Sequence, residues 1–322
     1  MAANAIYISG LYRSGTTLLS KILDKHSDIS ITYGTVHFMR YSHNKYLPLA
    51  KNYSQLVKDT AERIFQRWEM QLDVDQVLSQ VKLLKEITEP LVYEILMRSF
   101  LKLDQKTIWG EKTNVEWEGI LPFTSLFPNG KVIHIVRDPR AALASFKYFT
   151  IHPAPMFMDT VFAASAMFHY INQDKVMNHP NVKIIQYESL VLNPEQEVKS
   201  LCDFLEIDFE QQMIESGKSD SIRKPYEANS SFKKKVDGID SSGLNIWKEK
   251  LTNSEIQLTE EMLKLPMLKF GYDQLKLELN ENDEKELEAL KSHEFIAKRL
   301  KYIAANGYGE QAFPNTPEAY DL

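Results

Sequence analysis

Residues 10–17, Gly-Leu-Tyr-Arg-Ser-Gly-Thr-Thr, bring two glycines, Arg13 and the hydroxyls of Ser14, Thr16 and Thr17 together between a short apolar run and a helical pattern. A strand that ends in such a loop and opens a helix aims backbone N–H groups and the positive end of the helix dipole at one point, which suits an anion. The nucleoside-triphosphatase form of this loop carries a lysine directly after its second glycine, then a hydroxyl for magnesium. Here Thr16 stands in the lysine position and the fixed charge has moved to Arg13, whose planar fork matches two oxygens of one anion. The chemistry this implies is the binding of a phosphorylated group without a metal. The plain alternative is an ordinary strand-to-helix turn with a serine cap.

A second constellation follows the apolar run 132–136, where Arg137-Asp138-Pro139-Arg140 precedes a helical stretch holding Ser145. In a parallel sheet the carboxyl ends of the strands form the ligand edge, so Arg137 is expected to face the same ligand as Arg13; an ion pair with Asp138 is the competing reading. Upstream, the segment Trp109-Gly110-Glu111-Lys112-Thr113 sets Lys112 beside Glu111.

The elements that must position these residues are legible in the periodicity. Residues 5–9, 131–136 and 182–186 are short apolar runs, each followed by a helical pattern; Pro139 suits a first helical turn and Asn193 can cap the helix after Pro194. Strands that are apolar throughout and alternate with helices predict a parallel sheet covered on both faces. Residues 47–103 read as an inserted helical layer, residues 281–305 as helix, and residues 306–322, with two prolines and two glycines, as an extended tail. Residues 216–242 are rich in Ser, Lys, Asn and Gly with weak periodicity, and are expected to form a long lid-like loop.

Composition narrows the function. A net charge of −6 argues against a general nucleic-acid binder, so any anionic ligand must meet a local basic pocket. The single cysteine, Cys202, sits in an apolar run and reads as core; it allows no internal disulfide, which fits a reducing, cytoplasmic setting. No run approaches a membrane span, residues 1–9 do not resemble a signal peptide, and the eight histidines show no metal-ligand spacing, so no metal is expected. Oligomeric state is not readable.

Taken with these segments, the chain resembles the sulfotransferase superfamily that uses 3′-phosphoadenosine 5′-phosphosulfate (PAPS), and in pattern its bacterial and tyrosyl-protein members. Gln186-Tyr187-Glu188-Ser189-Leu190 ahead of Asn193-Pro194 and Phe204-Leu205 is similar to the family's "YExL…P…FL" segment, and Trp247 to Thr252 with Gly271-Tyr272 to its "W…LT…GY" stretch. The likeness runs in order over about residues 5–273. It implies an α/β, P-loop-like three-layer fold with a central parallel sheet flanked by helices and a helical insertion. It also implies a sulfotransferase domain over residues 1–273, and a C-terminal helix and tail over 274–322. By the same likeness, Arg13, Ser14, Gly15, Thr16 and Thr17 would hold the 5′-phosphosulfate. Arg137 and Ser145 would hold the 3′-phosphate, assisted by Tyr187 and by Lys235 from the triplet 233–235, a triplet that reads equally as a solvated patch. PAPS would serve as co-substrate, giving PAP and the sulfate of a small or medium-sized hydroxyl or amine acceptor, with Arg13 and Lys112 stabilising charge in transfer.

The base is where the chain departs from its relatives. The glutamate of the tyrosyl-protein enzymes would fall near Tyr33-Gly34-Thr35, and the histidine of the cytosolic enzymes is replaced by Asn114. His37 is the nearest candidate, with His43, Glu111 and Glu116 as rivals and a structural histidine as the plain reading. Residues 151–172 are expected either to line the acceptor pocket or to be core. The alternatives in function are an ATP-dependent P-loop kinase and a non-catalytic PAPS- or nucleotide-binding paralogue.

Overall fold

The computed structural model describes residues 5–101, 106–147, 154–215, 239–241 and 243–306. The lysine triplet 233–235, most of the expected lid and the tail beyond residue 306 lie outside these.

Five strands, β1 (Ala5–Gly10), β2 (Ile29–Tyr33), β3 (Ile108–Lys112), β4 (Lys131–Val136) and β5 (Val182–Gln186), form one parallel sheet in the order β2-β3-β1-β4-β5. The central strand β1 is buried throughout, because both sides of the sheet meet helices. Ile6, Ile8, Ile133, Ile135 and Ile185 pack on α1 (Thr16–Asp24) through Leu19, Ile22 and Leu23, and on Val198, Leu201, Cys202 and Leu205 farther along the chain. The opposite side buries Tyr7, Trp109, Val132 and Val136 among Phe123, Phe127 and Phe168. The three-layer α/β architecture expected from the pattern is therefore the observed one, and Cys202 is a core residue.

The insertion consists of a short helix α2 (Phe38–Tyr41), then α3 (Leu49–Trp68), α4 (Val74–Lys82) and α5 (Glu89–Leu101). Its apolar positions, Leu56, Val57, Ile64, Val92, Leu96 and Met97, join the main core, so the layer is anchored over the carboxyl ends of β2 and β3. The helices α6 (Ile120–Leu126), α7 (Pro139–Lys147), α8 (Asp159–Ile171), α9 (Asp174–Met177), α10 (Tyr187–Leu192) and α11 (Pro194–Leu205) complete the crossovers. Asn193 occupies the N-cap position of α11, but its side chain makes no capping bond; Pro194 supplies the fixed φ instead. Phe157, Met158, Val161 and Phe162 are buried in the main core, which decides for packing over pocket at those positions.

The C-terminal part adds α12 (Trp247–Lys250), α13 (Asn253–Lys269), α14 (Glu281–Ser292) and α15 (Glu294–Asn306), where one helix was expected over residues 281–305. A Thr252–Glu255 capping box starts α13, and Glu255 also holds Lys147 at the end of α7 at 2.8 Å. The strongest polar tie lies at the start of α7. Buried Arg140 donates to Asp138 at 2.7 Å and to Glu260 at 2.6 Å, and stacks on Trp247 at 4.1 Å. Asp138 is thereby engaged away from Arg137. Removing one partner of a buried ion pair leaves an uncompensated charge. Arg140→Gln is expected to lower unfolding stability by about 3–5 kcal/mol in urea titration, with the m-value unchanged.

Candidate functional site

The loop between β1 and α1 is built by backbone geometry. Arg13 has φ 65° and Gly15 φ 103°, and the Ser14 hydroxyl donates to the Leu11 carbonyl at 2.6 Å to close the turn. No side chain caps α1, so its first N–H groups face the loop without an internal acceptor. A Cβ on Gly10 would stand 2.8 Å from the Ile135 carbonyl oxygen, and one on Gly15 2.4 Å from Cδ2 of Tyr187. Thr16 donates to Asn114 Oδ1 at 3.0 Å, so its hydroxyl is directed toward the chain following β3.

Around this loop the structure gathers most of the residues singled out from sequence. Arg13 Nε donates to Ser145 Oγ at 2.8 Å across 132 residues of chain. Arg137 Nη1 donates to the Arg13 carbonyl at 2.8 Å, and its guanidinium lies 4.4 Å from the Tyr187 ring centroid. Burial lowers the Arg13 pKa, and repulsion from Arg137 adds to that shift. Arg137 Nε is buried and has no hydrogen-bond partner among the described residues. An unsatisfied guanidinium N–H beside a second arginine fits an anionic group arriving from outside the chain. Thr17 is half-buried in the first turn of α1, and Lys235 lies outside the described residues.

Lys112 ends β3 in register with Ile8 and Tyr33. It is buried, and its pKa is lowered to about 8 by burial, then by Arg67 and Arg13, with Glu116 opposing. No carboxylate pairs with it among the described residues.

His37 caps α2 with φ 48°, buried under the insertion. Its backbone N–H is held by the Glu111 carboxylate, and its Nδ1 by the Glu116 carboxylate. Glu116 is fixed in turn by Tyr7, whose hydroxyl donates to the Glu116 carbonyl at 2.9 Å, and Tyr93 donates to Glu111. Burial raises the Glu111 pKa; the neighbouring Glu116 raises it further and His37 opposes. The ring meets Glu116 through Nδ1, which leaves Nε2 as the nitrogen without that contact. That edge of the ring lies against the Gly34 turn, where a Cβ would be 3.2 Å from Nε2 and 3.5 Å from the Lys112 carbonyl oxygen. Of the other candidates named from sequence, Glu111 and Glu116 both contact His37, and His43 is held by Glu89 at 2.7 Å in the insertion. Sequence reading named Glu116 only as an alternative to His37, because 79 residues separate the pair. It did not bring in Tyr7 or Tyr93, and it noted Asn114 only as the residue that stands where the cytosolic enzymes have histidine.

The remaining motif segments support this site from behind. Glu188 accepts from the Asp138 backbone N–H at 3.0 Å and from the Tyr272 hydroxyl at 2.9 Å, locking β4, α10 and the Gly271-Tyr272 stretch together.

A profile of the sulfotransferase family matches residues 5–211, well over half of the chain, and the chain belongs to that family. A Caenorhabditis briggsae protein named "Putative protein-tyrosine sulfotransferase" is 27% identical over 219 residues, 65% of this chain and 68% of that one. Among solved structures, the sulfotransferase domain of the Synechococcus PCC 7002 olefin synthase aligns with a TM-score of 0.57 at 20% identity, over 84% of this chain and 96% of that one. The sulfotransferase domain from the curacin biosynthetic pathway aligns with a TM-score of 0.52 at 19% identity, over 85% and 99%. These alignments establish the shared fold. Among the described residues no helix is long and apolar enough to cross a membrane.

Gly15→Val would force a β-branched residue into left-handed backbone and drive its Cβ into Tyr187. We expect it to fold and to lose measurable PAP binding in calorimetry; retention of wild-type affinity would show that the loop does not contact the ligand.

Proposed function

We propose that the protein transfers the sulfuryl group of PAPS to a hydroxyl or amine of a small or medium-sized acceptor, releasing PAP. The observation that carries this reading is the convergence of Arg13, Arg137, Ser145 and Tyr187 on the left-handed Gly15 loop, with the unsatisfied Arg137 Nε among them. The loop N–H groups and Arg13 suit the 5′-phosphosulfate, and Arg137 with Ser145 suits the 3′-phosphate. The donor supplies an activated sulfuryl group when bound.

His37 Nε2 takes the proton of the attacking acceptor group, and Glu116, across the ring, stabilises the imidazolium that results. The acceptor oxygen or nitrogen forms its bond to sulfur as the bond to the 5′-phosphate oxygen breaks. The Lys112 ammonium neutralises the charge gathering on that leaving oxygen, and Arg13 that on the transferring group. Thr16, in the position of the lysine of a kinase-type loop, brings no charge there and its hydroxyl is directed to Asn114.

Calorimetry with PAP tests the donor assignment. Binding should persist in EDTA and weaken roughly 10- to 100-fold in Arg137→Ala, the loss of one or two charge-assisted bonds. Magnesium dependence, or ATP binding more tightly than PAP, would sink the reading.

The Lys112 assignment has a pH signature. Its pKa is lowered to about 8, so the free protein loses the required ammonium as pH rises through that value. For PAPS, kcat/KM should fall above about pH 8, while in kcat the fall should lie higher because a bound anion favours the charged lysine. Lys112→Arg should remove the alkaline limb, and Lys112→Ala should lower kcat far more than PAP affinity. An unchanged limb in Lys112→Arg would assign it to another group.

A further inference from the structure

Beyond Lys112 the chain does not leave the sheet at once. Thr113 N–H donates to the Ile8 carbonyl at 2.8 Å and Val115 N–H to the Gly10 carbonyl at 3.0 Å, so residues 113–115 run on beside β1 to the head of the loop at residues 10–17. Asn114 lies between those two bonds and is half-buried. Its Oδ1 accepts from the hydroxyl of Thr16, the first residue of α1, at 3.0 Å. Two residues before it, Lys112 stands in register with Ile8 and near enough to Arg13 to feel its charge. One half-buried carboxamide is therefore tied to the helix that opens the anion loop, on the same stretch of chain as the lysine assigned to the leaving oxygen.

A carboxamide carries one acceptor oxygen and two N–H donors, and it takes up no proton at neutral pH. Asn114 is thus no base; what it can offer a ligand is a hydrogen bond. Tying α1 to the chain after β3 uses only Oδ1, and Nδ2 meets no acceptor among the described residues. A structural tie alone would account for the oxygen and leave the nitrogen without a purpose. With Oδ1 held by Thr16, the two N–H groups are kept at the edge of the loop, where the uncapped first turn of α1 also offers donors. A transferring sulfuryl group presents three terminal oxygens, and donors fixed in advance around them stabilise the charge they carry. Another cation would add to the repulsion that, after burial, already lowers the Lys112 pKa. A neutral amide supplies a donor without that penalty.

We infer that Asn114 is a further catalytic residue, whose Nδ2 donates to a terminal oxygen of the sulfuryl group while Thr16 holds its Oδ1. This assignment rests on the sulfotransferase reading. Asn114 neither gains nor loses a proton: the acceptor atom bonds to sulfur, the bond from sulfur to the 5′-phosphate oxygen breaks, and the amide stays with the moving group. PAPS carries that group and PAP does not, so the test needs no acceptor. Each ligand is titrated by calorimetry into wild type, Asn114→Ala and Asn114→Asp. In Asn114→Ala, affinity for PAPS should fall roughly tenfold, the loss of one charge-assisted bond, while affinity for PAP stays as in wild type. Unchanged PAP binding also shows that the variant has kept its fold. Asn114→Asp retains an acceptor for Thr16 but sets a carboxylate oxygen where the donor was, so its ratio of PAPS to PAP affinity should fall at least as far. A purely structural tie gives the reverse order, with Asn114→Asp keeping the wild-type ratio and Asn114→Ala weakening both ligands together. A wild-type ratio in either variant, or equal loss of both ligands in Asn114→Ala, overturns the inference. Failure of the wild-type protein to bind PAP refutes the donor assignment instead, and is seen before any variant is made.

Discussion

Positive charge held without a matching carboxylate is the constraint on which the site depends. Arg137 and Lys112 sit at the carboxyl edge of the sheet and neither meets a carboxylate among the described residues, while Arg13 is turned onto a neutral serine. The cost is visible in the acid–base behaviour of the cluster: burial and mutual repulsion lower the pKa of both Arg13 and Lys112. Buried like charges are tolerated when an anion is to arrive, because the gain on binding then exceeds what a prepaired site could give.

That Arg137 and Lys112 meet no carboxylate among the described residues goes with the commitment of the nearby acids to other partners. Asp138, directly after Arg137, closes on Arg140, which also takes Glu260. Glu188, directly after Tyr187, accepts from Asp138 and Tyr272. Glu111, directly before Lys112, is taken by Tyr93 and by the His37 backbone. In each case the acid adjoins a candidate site residue in sequence and takes a partner of its own. Alternation along strands and the turn of a helix give that separation without further design. The same bonds that neutralise these acids also stitch α7, α10 and the C-terminal helices to the sheet, so the frame and the selectivity of the site have one origin.

How much of this was legible in the sequence follows from the range of each interaction. The strands at 5–9, 131–136 and 182–186, the strand-to-helix loop after β1 and the helical insertion depend on local periodicity, and all were readable. The grouping of Arg13, Arg137, Ser145 and Tyr187 could be expected because the carboxyl edge of a parallel sheet is a fixed meeting place. The pairing of His37 with Glu116 depends on how far the chain continues past β3, and there Val115 takes φ 52° and its N–H returns to Gly10. Nothing in the local pattern announces that the chain keeps following β1 past the end of β3 before it turns. Asn193 failed as a side-chain cap for a similar reason: its position was right, but the bond depends on side-chain geometry that spacing does not encode.

The loop and the second arginine also depend on each other. Arg13 is not a glycine, and its left-handed backbone costs roughly 1–2 kcal/mol. Its carbonyl, turned outward by that conformation, is where Arg137 Nη1 donates. Arg137 therefore helps hold the strained residue at the head of the loop, while its own Nε keeps a buried N–H with no partner among the described residues. The loop after β1 and the end of β4 are thus joined through one backbone carbonyl, so that displacing Arg137 would release the Arg13 carbonyl and with it a hold on the left-handed turn.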